Sequence, residues 1–304
     1  MLVTGAGGFI GSAVVEALVA RSAHVRALVA APGQPVRELP PAVTPVFADI
    51  EDGETLSGMA AGADVAIHLA GPPSVHDSFR APVEHARVHA AGTLALLEAC
   101  RTAGVPRFVY VSSAEVYGHP DVNPVPEGQP LDPRSPYAAG KAAAEHFVRA
   151  YAHSFGMQPV VLRPFSVYGP GLRPQSVLAT ILQQALHADE IVLADLAPVR
   201  DYCFLDDIVE GILSAASAPG TPETTFNLGS GTGTSVGELA ALALRLTGRD
   251  VPIRADSARR RPAGTDVARL VADRSRAEAV LGWTPAVQME DGVCRTIAWM
   301  SAQP

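Results

Sequence analysis

A glycine-rich turn near the start of the chain constrains its fold more than any other feature. The apolar residues Leu2-Val3-Thr4 precede the turn, and a helical pattern from Val14 to Ala20 follows it. Glycines at positions 5, 8 and 11 satisfy a GxxGxxG spacing, whereas GxGxxG would require glycine where Ile10 stands. Between a strand and a helix, such glycines let the backbone approach phosphates at the positive end of the helix. The turn therefore predicts a pyrophosphate-binding loop for a dinucleotide.

The first half of the chain continues this alternation of short apolar runs and longer helical patterns. Strand-like runs such as Val65–Ala70, Phe108–Ser112 and Val160–Arg163 are mainly apolar on both sides, which is typical of parallel strands covered on both faces. The sequence therefore predicts an α/β fold with a doubly wound Rossmann-type parallel sheet.

The alternation ends near Ser166, where proline- and glycine-rich connections begin. We expect helices at Ser176–His187, Asp206–Ala216, Val236–Leu246 and Glu290–Met300. We assign residues 1–165 plus about 205–230 to the dinucleotide-binding domain. Residues 166–204 plus 231–304 are expected to form a smaller, mixed α/β C-terminal substrate lobe.

Composition restricts the partners that this chain can bind. With 48% hydrophobic and 18% charged residues, the chain is globular rather than disordered. A net charge of −8 argues against nucleic acid and against a polybasic membrane surface. The three cysteines are far apart, which indicates a reducing compartment and no disulfide framework, and no apolar run is long enough for a membrane span. We expect a cytoplasmic enzyme with a small-molecule partner.

Tyr137 and Lys141 are the most informative pair for chemistry. Residues four apart on a helix share one face, so the lysine ammonium is expected to lower the pKa of the tyrosine from its usual value near ~10. The phenol would then serve as a general acid/base near neutrality. A surface tyrosine–lysine pair has the same spacing, so the interpretation also depends on Ser113, which follows an apolar strand ending in hydroxyls.

These segments together resemble the extended short-chain dehydrogenase/reductases of the NAD-dependent epimerase/dehydratase, or nucleotide-sugar epimerase-like, family. The motifs TGAGGFIG, IHLAG, SSAEVYG, YAAGK and LRPFSVYGPG occur in the order of that family. The resemblance implies hydride transfer between a sugar carbon and a nicotinamide. Tyr137 would move the hydroxyl proton, Lys141 would tune Tyr137 and hold the cofactor ribose, and Ser113 would orient the reacting oxygen. Glu115 would be a further acid/base in the pocket.

The resemblance also implies which residues surround NAD or NADP. They are Gly5, Gly8, Phe9, Ile10, Gly11, Asp49, Ile50, Leu69, Ala70, Gly71, Val111, Tyr137, Lys141, Pro164, Phe165 and Val167. His68, within the IHLAG motif, is interpreted as a core residue. The second strand ends without the carboxylate that binds the adenosine ribose of NAD, and without an arginine that favours NADP. The cofactor type stays open, with NAD preferred.

A nucleotide-diphosphate sugar is the substrate that the resemblance implies. Its expected contacts are Ser74, Ser113, Glu115, Tyr137, Ser166, Arg200, Tyr202, Arg261 and Asp266. Arg200, within RDYCFLDD, would hold the diphosphate through its planar fork of donors. The run Arg259-Arg260-Arg261 resembles a second phosphate site, although three solvated loop arginines would read the same. Ser166 and His89 each stand where the family usually has asparagine.

Several reactions share this apparatus. Family 4,6-dehydratases carry an Asp-Glu pair after the serine, whereas this chain has Ala114-Glu115, which disfavours ordinary 4,6-dehydration. We rank a nucleotide-sugar epimerase first, because it needs only Ser113, Tyr137 and Lys141, and a 4-ketoreductase of a deoxysugar pathway second. A decarboxylase or variant dehydratase using Glu115 follows. A non-catalytic dinucleotide sensor ranks last, since such proteins typically lose the tyrosine–lysine pair.

Two further expectations concern metal and assembly. His85 and His89 have a metal-compatible spacing, but the sequence offers no convincing third ligand, so we predict no metal. The resemblance implies a homodimer in which the helices containing Thr93–Ala103 and Tyr137–Tyr151 pair between subunits.

Overall fold

Strands and helices alternate along the chain, and a computed structural model describes them for residues 1–30, 37–218, 220, 224–256, 258 and 267–303. The strands are β1 Leu2–Thr4, β2 Arg26–Val29, β3 Pro45–Phe47, β4 Val65–His68, β5 Arg107–Val111, β6 Gln158–Pro164, β7 Ser166–Tyr168, β8 Ile191–Leu193, β9 Val199–Phe204, β10 Thr225–Leu228, β11 Gly233–Ser235, β12 Ile253–Ala255 and β13 Arg269–Leu270. The helices are α1 Phe9–Ala20, α2 Gly53–Ala60, α3 Val75–Ser78, α4 Pro82–Ala86, α5 Gly92–Thr102, α6 Pro136–Phe155, α7 Val177–His187, α8 Leu205–Ser217, α9 Val236–Thr247, α10 Ser275–Leu281 and α11 Met289–Ser301. A π-helical turn, Arg87–Ala91, joins α4 to α5, and a 3-10 helix, Ala114–Tyr117, follows β5.

Seven strands form the central sheet in the order β10-β6-β5-β4-β1-β2-β3, and all neighbours are parallel. The order reverses at β1, because β2 and β3 lie on one side of it and β4 lies on the other. This arrangement confirms the predicted doubly wound Rossmann-type sheet. Open sheets of this kind bind ligands outside the carboxyl ends of the strands, at the point where the order reverses. The glycine turn after β1 occupies that point.

Consecutive residues of a strand are buried on opposite faces of this sheet, as a strand period of two requires. Val109 and Val111 pack with residues of α1 and α8, whereas Phe108 and Tyr110 pack with residues of α2, α5 and α6. Burial on both faces explains why the strand sequences are mainly apolar at consecutive positions. Within the part of the chain that the structure describes, no helix combines the length and hydrophobicity needed to cross a bilayer.

Shorter strands form two further sheets beside the central one. Strand β9 pairs antiparallel with β11 and parallel with β7 and β13, and β8 pairs with β12. A separate apolar cluster joins residues of α7, α9 and α11 to these strands. Helices α7, α8, α9 and α11 begin and end within one residue of the predicted positions. These strands were not predicted. Apart from β9, which has six residues, each has only two or three, which carry too little periodicity.

Buried carboxylates fix the connections among these shorter elements. Asp201 accepts hydrogen bonds from the backbone nitrogens of Ser230, Gly231 and Ala272, at 2.7, 2.8 and 3.1 Å. Asp207 accepts from the backbone nitrogens of residues 286 and 287, at 2.9 and 3.1 Å. These acidic residues of the RDYCFLDD motif therefore stabilise loops.

Candidate active site

The glycine turn has the geometry of a phosphate-binding loop. Gly5 has φ +68°, and a Cβ at this position would lie 2.7 Å from the backbone nitrogen of Ala70. A Cβ on Gly11 would collide with the carbonyl oxygen of Gly5. Gly8 caps the N-terminus of α1, and no side chain accepts a hydrogen bond there. The turn can therefore present backbone N–H groups to the pyrophosphate of a dinucleotide.

Arg37 brings positive charge to this turn, a position that no motif in the sequence predicts. Its backbone nitrogen donates to the carbonyl of Gly7 at 3.1 Å, and its Nη2 donates to the carbonyl of Pro170 at 3.1 Å. The guanidinium lies 5.4 Å from the ring centroid of Phe9. A guanidinium at the mouth of a phosphate-binding loop suits an anionic ligand.

The ends of β3 and β4 form the adjoining wall. The backbone nitrogen of Leu69 donates to the carbonyl of Thr4, which holds the IHLAG segment beside the glycine turn. Ile50 is buried against Gly92, and the carboxylate of Asp49 lies 3.6 Å from the guanidinium of Arg87. These positions are compatible with the predicted cofactor contacts.

His68 is a core histidine, as the sequence interpretation held. Its Nδ1 lies 2.6 Å from the Oγ1 of Thr4, and its Nε2 lies 2.9 Å from the Oγ1 of Thr93. Burial lowers the pKa of His68 to about 3, with a smaller contribution from Lys141. The ring is therefore neutral at physiological pH and links three elements by hydrogen bonds.

Tyr137 lies in the first turn of α6, whose start is encoded locally. Ser135 caps the helix by accepting a hydrogen bond from the backbone nitrogen of Ala138 at 3.1 Å, and Pro136 follows it. Both residue types are favoured at these positions. The cap therefore fixes where the tyrosine stands relative to the end of β5.

Two histidines that the sequence offered only as a metal-compatible pair surround the tyrosine. The ring of His89 lies 5.2 Å from that of Tyr137, edge to face, and the ring of His85 lies 6.2 Å away. The Nε2 of His89 lies 3.0 Å from the carbonyl oxygen of Pro72. The Nδ1 atoms of both histidines are buried and have no hydrogen-bond partner among the described residues. Gly140 packs directly on His89, which explains glycine at this position.

Lys141 lies one turn further along α6, with its side chain buried. Its Nζ donates to the carbonyl of Val111 at 2.8 Å and lies 5.1 Å from the ring centroid of Tyr110. Burial lowers the pKa of Lys141 to about 7, although Glu145 opposes the shift. Lys141 is the only lysine in the sequence. All the other strongly basic side chains are arginines, which stay charged at any ordinary pH. A lysine kept at one buried position suits a role that needs a titratable cation.

The expected lowering of the tyrosine pKa is not found. Burial raises the pKa of Tyr137, and Glu115 adds to the increase, whereas Ser113 and Arg173 lower it. Lys141 is not among the causes. The prediction was wrong because the spacing of two residues carries no information about desolvation, which here outweighs the neighbouring charges.

Residues from distant parts of the chain line one cavity at the carboxyl end of β5. They are Ser113, Ala114, Glu115, Pro164, Phe165, Ser166, Arg200 and Leu270. Arg200 donates to the carbonyl oxygens of residues 199 and 267, at 3.0 and 2.6 Å. The structure thus brings together the predicted catalytic serine, the tentative acid/base Glu115 and the predicted diphosphate arginine.

The structure describes three of the other predicted contacts, Ser74, Tyr202 and Val167. Ser74 caps α3 by accepting a hydrogen bond from the backbone nitrogen of Asp77 at 3.0 Å. Tyr202 is buried with its ring 6.4 Å from that of Tyr168. Val167 packs against the main apolar cluster. Arg259, Arg260, Arg261 and Asp266 lie outside the described residues.

A buried ionic network holds α6, the helix of Tyr137 and Lys141, against the central sheet. The sequence analysis did not predict this network. Arg163 donates to both carboxylate oxygens of Glu145, at 2.9 and 2.6 Å, and to the hydroxyl of Tyr117 at 2.8 Å. The hydroxyl of Ser112 donates to Glu145 at 2.6 Å, and that of Tyr117 donates to Asn227 at 2.6 Å. Since Glu145 lies one turn after Lys141, the network fixes α6 against β5, β6 and β10.

Together, the parallel sheet, the glycine turn and the Ser113–Tyr137–Lys141 constellation define a Rossmann-type short-chain dehydrogenase/reductase. Such enzymes use the protein to align and polarise substrate while a dinucleotide carries the redox chemistry. Among the described residues, no group of three or more metal-ligating side chains is arranged to hold a metal ion.

Comparisons with known proteins extend this assignment. Residues 1–229 match the model of the NAD dependent epimerase/dehydratase family, and the chain belongs to this family. It is 36% identical to a UDP-glucose 4-epimerase of Mycolicibacterium smegmatis, over 97% of this chain and 96% of that protein. These findings confirm the predicted enzyme class and agree with the predicted nucleotide-sugar epimerase.

Solved structures of related enzymes share the whole fold. A UDP-glucose 4-epimerase from Thermotoga maritima with UDP-glucose has a TM-score of 0.89 and 31% identity, over 99% of this chain and 98% of that one. MoeE5 in complex with UDP-glucuronic acid and NAD has a TM-score of 0.88 and 31% identity, with the same coverage. Both confirm the predicted extended short-chain dehydrogenase/reductase fold.

Proposed function

We propose that the protein is an NAD-dependent epimerase that inverts C4 of a nucleotide-diphosphate sugar. The observation that carries the proposal is the position of Tyr137 and buried Lys141 beside a cavity lined by Ser113 and Arg200. An epimerase needs only these groups and room for the ketone intermediate to rotate, so that its other face is reduced. The related UDP-glucose 4-epimerases support C4 as the reacting carbon.

The proposed reaction depends on proton transfer between the sugar hydroxyl and Tyr137. Ser113 orients the C4 hydroxyl. Tyr137 takes its proton as the C4–H bond breaks, through the minor phenolate form that Ser113 and Arg173 favour against the effect of burial. NAD, when bound, supplies reversible hydride acceptance, so the ketone is reduced from its other face without net oxidation. Tyr137 returns the proton to the new C4 oxygen. Lys141 holds a titratable proton one turn away, next to the Val111 carbonyl and the end of β5.

We further propose NAD rather than NADP. The arginine found near the cofactor loop, Arg37, is hydrogen-bonded to Pro170 and lies within 3.4 Å of the hydroxyl of Ser12. Its guanidinium is therefore engaged at the glycine turn, where it supports pyrophosphate binding. NAD is also the cofactor in the MoeE5 structure.

We propose that the nucleotide diphosphate binds at Arg200, in the lobe formed by residues 166–204 plus 231–304. This arginine and Ser166 share the cavity with Ser113, so a diphosphate there leaves the sugar within reach of Tyr137. The related proteins bind UDP-glucose or UDP-glucuronic acid, which supports a UDP-sugar and leaves the oxidation state of C6 open.

The state of the cysteines bears on where the protein resides. We propose a cytoplasmic protein, because Cys100 and Cys203 are buried free thiols and Cys294 is an exposed one.

We also propose a homodimer through α5 and α6. On that face, Tyr151 donates to Glu98 at 3.0 Å, and Phe155 is 53% exposed. Sedimentation that shows a monomer would refute the dimer.

Glu115 gives a second candidate function some support. Its carboxylate lines the same cavity as Ser113, where it can exchange a proton with a ketone intermediate. Elimination or decarboxylation after oxidation at C4 would use such a group. Product analysis distinguishes these reactions, since an epimerase returns a sugar of unchanged mass.

The test compares Tyr137→Phe with Tyr151→Phe, a tyrosine on the same helix that contacts Glu98 at the surface. Removing the Tyr137 hydroxyl should lower kcat by about 10²–10⁴-fold, because general acid/base catalysis is lost. Dinucleotide content, measured by absorbance after denaturation, should remain near that of the wild type. Tyr151→Phe should retain activity. Tyr137→Phe turnover within threefold of wild type would refute the assignment.

A further inference from the structure

His89 lies against the catalytic tyrosine, although no step of the proposed reaction uses it. The ring centroids of His89 and Tyr137 are 5.2 Å apart, and the two ring planes form an angle of 89°. Aromatic pairs prefer this edge-to-face geometry at this distance. Tyr137 is only half-buried and stands in the first turn of α6, so neighbouring side chains must fix the orientation of its ring. His89 is therefore placed to determine where the phenol oxygen points.

The imidazole of His89 is itself held on three sides. Its Nε2 lies 3.0 Å from the carbonyl oxygen of Pro72. A Cβ on Gly71 would lie 2.4 Å from its Nδ1, and a Cβ on Gly140 would lie 3.0 Å from its own Cβ. The two glycines thus leave the space that the ring fills, and the hydrogen bond fixes its rotation. A ring with so little freedom can hold a neighbouring ring in place.

The backbone that carries His89 is also specialised. It forms the π-helical turn Arg87–Ala91, in which the backbone nitrogen of Gly92 donates to the carbonyl of Arg87, five residues earlier. Such turns insert one residue into a helix and are frequent at functional sites. The hydroxyl of Thr93 donates to the carbonyl of His89 and links this turn to α5. Because α6 packs against the turn, the inserted residue changes which side chain meets Tyr137.

His89 acts through its shape rather than through a charge. Burial lowers the pKa of His89 to about 2, and Lys141 contributes to this decrease, so the ring is neutral at physiological pH. Nε2 carries the hydrogen that faces Pro72, since a carbonyl oxygen can only accept. Nδ1 is then a buried acceptor that has no partner among the described residues. An unsatisfied buried group costs stability, which indicates a functional reason for keeping histidine here.

We propose that His89 is a positioning residue for Tyr137, whose ring contact holds the phenol oxygen within hydrogen-bond reach of the C4 hydroxyl. The imidazole exchanges no proton and acts only through the tyrosine. Asparagine, the usual residue of the family at this position, has no ring, so the contact is a property of this chain. Its loss should lower kcat more than it alters KM, because orientation matters most in the proton-transfer step. This inference rests on the proposed epimerase function.

The test separates the ring of His89 from its hydrogen bond. His89→Phe keeps a ring beside Tyr137 but has no donor for Pro72, whereas His89→Gln keeps a donor and removes the ring. In the NAD-loaded enzyme with UDP-glucose, His89→Gln should lower kcat by about 10- to 100-fold, the cost of a misplaced catalytic group, and change KM by less than about threefold. His89→Phe should keep most of the wild-type kcat. The matched control, His146→Gln, changes an exposed histidine of α6 and should alter neither constant.

The opposite order of the two variants would overturn the inference, because the hydrogen bond to Pro72 would then be what His89 contributes. A kcat of His89→Gln within about threefold of the wild-type value would also overturn it, since a misplaced phenol costs more than that.

NMR of ring-labelled tyrosine decides the inference when both variants lose activity, or when the wild type does not epimerise the sugar. The Tyr137 signal is identified by its absence in Tyr137→Phe. Its relaxation should report a more mobile ring in His89→Gln, and an unchanged one in His146→Gln. Unchanged ring mobility in His89→Gln would refute the positioning role, whatever reaction the enzyme catalyses.

Discussion

The two sides of the proposed site, a catalytic side with the proton-transfer groups and a substrate side with the expected substrate contacts, are built differently. Tyr137 and Lys141 stand on one capped helix, backed by the buried pair Glu145–Arg163, whose side chains are 0% and 2% exposed. The substrate side draws Ser166 from β7 and Arg200 from β9. The first side holds its groups in fixed positions over a packed sheet, and the second assembles contacts that depend on how distant segments meet.

This difference assigns separate physical tasks to the two sides. Proton transfer needs atoms held within hydrogen-bond reach, and a helix over a packed sheet provides that rigidity. Recognition of a variable sugar needs charges that can be exchanged without disturbing the sheet, and loops provide them. Changes on the catalytic side should therefore cost stability or rate for every substrate, whereas changes on the substrate side should alter affinity and selectivity.

The largest expected effect on the catalytic side is the shift in the pKa of Lys141. Because it is the only lysine, isotope-labelled lysine gives a single side-chain NMR signal. In nucleotide-free protein, that signal should titrate with a pKa of about 7 instead of 10.5, because the ammonium is desolvated. A measured pKa above ~9.5 would contradict the buried arrangement.

The same shift predicts how stability depends on pH. The folded state releases the Lys141 proton near pH 7, while the unfolded state keeps it up to about pH 10.5. Since the unfolded state then binds more protons, the contribution of Lys141 to the free energy of unfolding increases as the pH rises between these values. Lys141→Met should lack this increase when urea unfolding is measured across the same range.

The next largest effect should come from breaking the buried ionic network. Glu145→Gln leaves the charge of Arg163 buried without its carboxylate, which should lower the free energy of unfolding by about 3–5 kcal/mol. Glu210→Gln is the matched control, because its partner Arg21 is an exposed arginine, and it should cost less than about 1 kcal/mol. Similar urea midpoints for both variants would remove the distinction between the two sides.

On the substrate side, Arg200→Gln should weaken the binding of UDP more than it weakens the fold, although it removes hydrogen bonds to the carbonyls of residues 199 and 267. Loss of a charged contact to the diphosphate should raise the Kd for UDP by about 10- to 150-fold, measured by calorimetry. Arg254→Gln, which removes an exposed arginine paired with Glu190, should leave the Kd unchanged. An unchanged Kd in Arg200→Gln would place the diphosphate elsewhere.

The smallest effect should follow from Ser166→Asn, at the cavity position where the family usually has asparagine. An added amide donor to the diphosphate should lower the Kd for UDP by about 2- to 10-fold, the value of a neutral hydrogen bond. Weaker binding in this variant would show that the shape of the cavity requires serine. Position 166 would then be constrained by packing, as the positions on the catalytic side are.

Much of the fold could be predicted because its signals are local. The apolar strands, the GxxGxxG turn and the capped helix of Tyr137 each depend on residues within one or two turns of one another. The direction of the Tyr137 pKa could not be predicted in the same way. It depends on desolvation by packed neighbours, which spacing along a helix does not encode.

The sequence by itself determined the doubly wound sheet, the dinucleotide loop and the Ser113–Tyr137–Lys141 constellation, because periodicity and short motifs specify them. Only the tertiary structure decided that Arg37 returns to the glycine turn, that Glu145 pairs with Arg163, and that Arg173 donates to the carbonyl of Pro73. These contacts join residues from 18 to more than 100 positions apart. They form because the fold brings distant segments together and buries them, and neither effect can be read from local sequence.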